Sequence, residues 1–256
     1  MSKPVVAPPR DIAQRGTISY CTSFDAPPQE FLDENGNPAG SDVDIGIAVA
    51  DLMGVDVEWR SVGFDAILGA LQAKQCDAIN SSLSYTSERD AVIDFAFYGL
   101  FTDVIVVGDG NPRNIQSVDD LSRRELGWVT GYATEGLEEI EEKLSERGLE
   151  PFKRVAFSKE ADALGALRAG GVDAVTLANA QGDFYASMQP GVFEVVPEIQ
   201  VFAREFGFGV REGEKDLQAA LSGAIDVLYG NGEMCEILRR WKLTSTADPD
   251  RPCESG

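Results

Sequence analysis

The 256-residue chain contains no histidine, which excludes a Ser-His-Asp or Cys-His nucleophile and any imidazole-ligated zinc. Basic residues are scarce. Twenty-two lysines and arginines stand against 43 acids, and the formal charge of -21 repels phosphate backbones and anionic headgroups. Nucleic acid and membrane surfaces are therefore not expected partners. No apolar run is long enough to cross a bilayer. The four cysteines, Cys21, Cys76, Cys235 and Cys253, include no CxxC pair, so neither a redox dithiol nor a zinc ribbon is signalled, and no metal or cofactor is expected. Cys235 and Cys253 flank the last expected helix and the tail; they read either as a disulfide, which fits an oxidising compartment, or as buried free thiols. The start, Met1-Ser2-Lys3-Pro4, lacks the apolar core of a signal peptide, which leaves either a cytoplasmic chain or one whose leader has been removed.

What is present is enough apolar sequence, 43% of the residues, to bury one large domain or two medium ones. Ile45, Ala48, Val49 and Leu52 recur at helical spacing, and Gly54 follows in the position that usually ends a helix. Phe64, Ile67, Leu68 and Leu71 repeat the pattern ahead of a short apolar strand, Ala78-Ile79. Strands at 18–21 and 55–59 bracket the first helix. The resulting order of strand, helix, strand, helix, strand predicts a parallel α/β layout.

A self-similarity organises the rest. Gly69-Ala70-Leu71, Ala73 and Asp77-Ala78-Ile79 recur as Gly165-Ala166-Leu167, Ala169 and Asp173-Ala174-Val175, with a constant offset of 96. The chain therefore reads as two similar α/β halves. Ligands of open parallel sheets bind beyond the carboxyl ends of the strands, which directs attention to Asn80-Ser81-Ser82-Leu83-Ser84 and Thr176-Leu177-Ala178-Asn179.

After the first of these segments come Thr86 and Arg89. Thr86 is a good N-cap for a helix-like stretch reaching about Val92, and its free N–H groups and positive dipole end would point toward the strand tips. An arginine one turn into that stretch can fork onto a carboxylate while serine hydroxyls take the remaining lone pairs. The competing reading is a surface Arg89 paired with Glu88 or Asp90, beside ordinary turn serines.

The run from Phe64-Asp65 to Leu71, then Cys76-Asp77-Ala78-Ile79-Asn80-Ser81-Ser82-Leu83-Ser84-Tyr85-Thr86-Ser87-Glu88-Arg89 and Val92-Ile93-Asp94-Phe95, closely resembles the ABC-transporter solute-binding proteins for polar amino acids, family 3. Asn35-Gly36 with Gly40-Ser41-Asp42-Val43-Asp44-Ile45, Phe206-Gly207-Phe208-Gly209-Val210-Arg211, and the segment from Asn231-Gly232 to Trp241-Lys242 agree. The resemblance covers about residues 11–242. It implies a type II periplasmic-binding fold: a first lobe from 11–101 and 205–256, a second from 102–204, hinge strands between them, and a flexible segment over 1–10. It further implies that Arg89 binds a ligand α-carboxylate with help from Ser82 and Ser84, and that Phe64 packs against the ligand between the lobes.

Three positions depart from the family pattern. Ala178 stands where the second lobe usually carries an aspartate for the ligand ammonium, with Asn179 beside it as a neutral acceptor. The second-lobe loop that often reads Gly-Thr/Ser-Thr/Ser is Gly131-Tyr132-Ala133-Thr134, of which Tyr132 and Thr134 are ligand candidates. The aromatic expected before the first proline is Ala26, with Phe24 two residues earlier. A ligand with a carboxylate and a blocked, quaternary or absent amine fits this set, its apolar or cationic part facing Phe24, Phe64 and Tyr132. An ordinary amino acid held by another acid, Asp25 or Glu135, is the alternative. The Asp33-Glu34-Asn35-Gly36-Asn37 segment fails the spacing of a calcium loop and reads as a turn.

The resemblance implies a monomeric, non-enzymatic binding component of an importer, periplasmic or extracellular with its signal peptide removed, which passes an amino acid, betaine or related carboxylate to an ABC permease. The competing function is a cyclic-acid dehydratase-like enzyme on the same fold, in which a carboxyl group would act as general acid.

Overall fold

A computed structural model describes residues 4–130 and 134–253, apart from the side chain of Glu198. The strands in chain order are β1 (Thr17–Thr22), β2 (Asp25–Ala26), β3 (Glu30–Leu32), β4 (Pro38–Ala39), β5 (Asp56–Ser61) and β6 (Ala78–Ser84). They continue with β7 (Ile93–Gly108), β8 (Glu125–Val129), β9 (Lys153–Phe157), β10 (Ala174–Ala178) and β11 (Phe193–Arg211). The helices are α1 (Arg10–Arg15), α2 (Ser41–Met53), α3 (Ile67–Gln72), α4 (Ser87–Asp90) and α5 (Glu135–Glu146). After these come α6 (Glu160–Ala169), α7 (Asn179–Met188), α8 (Lys215–Gly230) and α9 (Glu233–Arg240).

The chain divides into two compact units, one running to Leu100 and resuming at Glu205, the other Phe101–Arg204. β7 carries the chain out of the first unit and β11 brings it back. In the first unit β5, β1 and β6 run parallel in that order, and β11 closes on β6 in the antiparallel sense. The second unit repeats the plan: β9, β8 and β10 are parallel, and β7 lies antiparallel to β10. The main sheet of each unit is thus mixed, where the strand-helix alternation predicts parallel strands alone, and β2, β3 and β4 form a small separate antiparallel sheet. The antiparallel member of each main sheet belongs to one of the two long strands that pass from unit to unit, whose direction is set by chain passage rather than by a helical crossover.

The predicted helix of the first unit is α2, which buries Ile45, Ala48, Val49 and Met53 and stops at Gly54 in the left-handed conformation (φ 67°). The second predicted helix begins as a single 3-10 turn, Phe64–Ala66, and continues as α3, burying Ile67, Ala70 and Leu71. These join Cys21, Ile79, Leu83 and Ile93 in one core cluster of the first unit. In the second unit, Ile105, Leu126, Leu137, Ile140 and Leu144 form one cluster. Val104, Leu164, Leu167, Val175 and Leu177 form another. The lead-in to α1 is bonded to α2, with the Val5 and Val6 amides donating to the Leu52 carbonyl.

All four cysteines are paired. Cys235 joins Cys253 and Cys21 joins Cys76. The second pairing was not anticipated by sequence spacing, because the partners lie 55 positions apart. Strand pairing brings them together: Tyr20 and Cys21 lie beside Ala78 and Ile79 in the β1–β6 register. The Asp33 segment is a turn, in which the Asp33 carboxylate accepts the Asn35 and Asn37 amides.

Candidate functional site

All seven residues of β6 are buried, as suits a strand flanked on both sides. Yet Asn80, Ser81, Ser82 and Ser84 are polar, and buried polar groups need partners. Where those partners lie explains the local structure.

Beyond β6, the Thr86 hydroxyl accepts the Arg89 amide at 3.1 Å, the expected N-cap. The helix it starts, α4, is one turn of four residues. The stretch toward Val92 is not helical, because the chain enters β7 at Ile93. The cap fixes Arg89 at the third position of α4, which turns its side chain inward. Arg89 is only 8% exposed, its Nη1 donates to the Ser84 carbonyl at 2.6 Å, and its guanidinium stands over the Phe64 ring, 5.6 Å from the centroid. Glu88 and Asp90 are exposed and do not pair with it. The surface ion pair, one of the two readings open at sequence level, is therefore not the one the chain adopts.

Phe64 itself is half-buried and packs on the core cluster of α3 and β6 with Val62, Leu68 and Phe97. It serves as a floor for Arg89. The Ser84 side chain is buried, and its hydroxyl has no hydrogen-bond partner among the described residues. Ser82 differs. With φ at 45° it sits in the left-handed region, which costs a non-glycine residue on the order of 1 kcal/mol or more unless its surroundings fix it. What fixes it is Asp42 of α2: Oδ2 accepts the Ser82 amide at 2.6 Å and lies 3.0 Å from its hydroxyl. The same hydroxyl lies 3.3 Å from Glu30 Oε2, and Ser81 Oγ donates to Glu30 Oε1 at 2.7 Å. Burial pushes the Asp42 carboxyl up to about 6, against the Tyr98 hydroxyl and the Ser82 amide and hydroxyl, which favour its anion. Two buried acids on β3 and α2 therefore hold the serine segment from behind.

Phe24 also has a positive φ, 55°. Its ring meets Trp59 edge-on at 5.9 Å. Ala26 is buried in β2 ahead of a cis Pro27-Pro28 bond, and Asp25 is exposed.

In the second unit, the Thr134 hydroxyl donates to Glu138 at 3.2 Å, and Glu135 opens α5. Tyr132 lies outside the described residues. Ala178 ends β10, 7% exposed, and Asn179 begins α7 with its Oδ1 buried and without a hydrogen-bond partner among the described residues. Across the β10–β7 pairing Ala178 stands directly opposite Asp103, so the two side chains leave the same face of the sheet. Asp103 is held by both terminal nitrogens of Arg204, and the two side chains are 8% and 5% exposed. Burial pushes the Asp103 carboxyl up while Arg204 draws it down. Gly136 of α5 makes this fit, since a Cβ there would come within 2.2 Å of Asp103 Oδ2.

Sequence reasoning missed Glu30, Asp42, Asp103 and Arg204. For Asp42 a signal existed, because an acid in the first turn of an otherwise apolar, buried helix demands a partner. For Asp103 and Arg204, 101 positions apart, no local pattern distinguishes them from surface charges.

A sequence model of the bacterial extracellular solute-binding proteins, family 3, matches residues 18–244. The L-arginine-binding protein of Pseudomonas aeruginosa is 30% identical over 222 residues, 82% of each chain. Among solved structures, an ancestral arginine-binding protein bound to arginine superposes with a TM-score of 0.78 at 30% identity, over 89% of this chain and 98% of that one. An ancestral amino acid-binding protein described as a precursor of cyclohexadienyl dehydratase gives 0.78 at 26% identity, over 90% and 97%. No helix among the described residues is long and apolar enough to cross a membrane.

Proposed function

From the premise that the chain belongs to the bacterial extracellular solute-binding proteins of family 3, we propose that it is the binding component of an ABC importer. It takes up an amino acid or a related small carboxylate outside the cytoplasmic membrane and delivers it to a membrane permease. Arg89 is the carboxylate anchor. The observation that carries this reading is the inward-turned guanidinium, buried over Phe64 and held by the Ser84 carbonyl beside an uncommitted Ser84 hydroxyl. A buried arginine is costly unless it meets polar partners, and a ligand carboxylate gives it charge-assisted ones. The Ser82 hydroxyl is already engaged by acids, so Ser84 is the better-placed hydroxyl of the two.

The relatives named above bind arginine or amino acids, and a free α-amine needs an acceptor. Ala178 provides none. Asn179, Asp25 and Glu135 remain the candidate acceptors for an amino acid, with Thr134, Phe24 and Tyr132 contributing further contacts; a betaine-like ligand would dispense with an acid. A dehydratase reading has one relative in its favour, and recovery of the ligand decides it.

Thermal shift against amino acids, betaines, opines and simple carboxylates tests the proposal. A true ligand at a hundred times its dissociation constant adds roughly 2.7 kcal/mol of stability. Recovery of that ligand unchanged after prolonged incubation is expected, and its conversion would replace the binding reading by the enzymatic one. An Arg89→Ala protein that binds as tightly as the parent would remove Arg89 from the site.

A further inference from the structure

Ser82 Oγ touches two carboxylates at once, Asp42 Oδ2 at 3.0 Å and Glu30 Oε2 at 3.3 Å. A serine hydroxyl has one proton to donate. It can therefore satisfy one of the two acids, and the other contact is favourable only when that acid carries a proton and donates back. Asp42 Oδ2 already accepts the Ser82 amide, and Glu30 Oε1 already accepts Ser81. Both acids are 1% exposed. Two such carboxyls meeting over one hydroxyl titrate as a pair, not independently.

We propose that Glu30 and Asp42 share one proton across Ser82, and that uptake of this proton is linked to carboxylate binding at Arg89, which makes Asp42 a positioning residue for the site. The linkage rests on the reading of Arg89 as the anchor; the shared proton does not.

The groups around Asp42 leave room for this. On the β7 side is Tyr98, whose hydroxyl and Asp42 Oδ1 are both buried without a hydrogen bond of standard length. Tyr229 of α8 donates to the Tyr98 carbonyl, and Tyr20 of β1 makes its bond to Gly46. Further along α2, Asp44 is engaged by Arg240 and Trp241. Asp51, Glu233 and Glu236 lie with them along the outer groove of α2 and α9. On β5, Glu58 and Arg60 pair with each other, about half exposed. Asp56 is exposed at the head of that strand. Among the described residues, the titratable groups that meet Asp42 are thus Glu30, across Ser82, and the Tyr98 hydroxyl. The raised titration of Asp42, about 6, agrees with a carboxyl that keeps its proton into the mildly acidic range.

The link to Arg89 runs along β6. Ser82 and Ser84 are two residues apart, about 7 Å at strand rise, and the Ser84 carbonyl is bonded to the guanidinium. An anion arriving at Arg89 is repelled by a charged carboxylate behind Ser82 and not by a neutral one. Binding therefore draws a proton in, and by reciprocity acid strengthens binding.

Two measurements test this. Carbon-13 carboxyl NMR of the ligand-free protein, labelled at aspartate and assigned through Asp42→Asn, should show the Asp42 signal titrating roughly two units above an ordinary aspartate. A midpoint at the ordinary value, about 4, overturns the shared proton. Calorimetry with L-arginine, in buffers of different ionisation enthalpy from pH 5.5 to 7.5, should show net proton uptake and an affinity rising about fivefold toward acid, the lower end of ordinary coupling. In Asp42→Asn, which keeps an acceptor for the Ser82 amide, both should vanish and the affinity should become independent of pH. Binding without proton uptake in the parent protein, or uptake that persists in Asp42→Asn, overturns the linkage. Arg89→Ala separates the two levels: if it binds L-arginine normally, the anchor and the linkage fall together while the NMR result stands.

Discussion

Asp77 and Asp173 make the same bond in different units. Asp77 Oδ2 accepts the Ser19 amide of β1 at 2.8 Å, and its own amide donates to the Ser19 carbonyl. Asp173 Oδ2 accepts the Glu125 amide of β8 at 3.0 Å, and its amide donates to the Glu125 carbonyl. Each is also met by an arginine, Arg15 or Arg113. The repeated Asp-Ala dipeptide is thus a clamp that starts a strand in register with its parallel neighbour.

Removing either clamp should cost stability without touching the ligand. Asp77→Ala and Asp173→Ala each leave a partly buried amide unpaired, and each is expected to lose about 1–3 kcal/mol. Asparagine at either position, which keeps an acceptor, should lose less; urea denaturation measures the difference.

Arg89→Lys should bind poorly. A lysine keeps the charge but not the fork or the flat face that rests on Phe64. Loss of a charge-assisted bond of about 1.5–3 kcal/mol weakens affinity for the best ligand of the thermal-shift panel by roughly ten- to a hundredfold, read by calorimetry.

The Asp103–Arg204 pair gives an asymmetric result. Arg204→Met strands a buried carboxylate and is expected to destabilise by about 3–5 kcal/mol, whereas Asp103→Leu combined with Arg204→Met should recover most of that loss. Guanidinium melts of the three proteins decide it; a single variant as stable as the parent would contradict the buried pairing.

Asp42 carries a stability signature of its own. Its folded-state value of about 6 lies above the ordinary 3.8, so between those pH values the folded chain binds a proton that the unfolded chain has lost. Its contribution therefore falls as pH rises through this window and is flat above it. The stability of the parent relative to Asp42→Asn should be greater at pH 4 than at pH 7.5 by about 2 kcal/mol.

Reduction should expose the unequal weight of the two disulfides. Chain entropy alone assigns about 4 kcal/mol to a loop the size of Cys21–Cys76 and about 3 to Cys235–Cys253, whose separations are 55 and 18 residues. Paired Cys→Ala variants, compared by denaturant midpoint, should rank in that order.

By itself the sequence determined the local and repeated features: the helices of α2 and α3 from apolar spacing, the Gly54 stop, the Thr86 cap, and the duplicated helix-strand unit, because these rest on contacts among near neighbours. It also singled out Arg89, although the choice between an inward and an outward guanidinium stayed open. Tertiary structure made that choice by placing Phe64 and the Ser84 carbonyl where the side chain turns. It alone brought Cys21 to Cys76, Asp103 to Arg204 and the acids Glu30 and Asp42 to Ser82, and it alone made the main sheet of each unit mixed. Those pairings depend on which strands lie side by side, and no spacing along the chain encodes that adjacency.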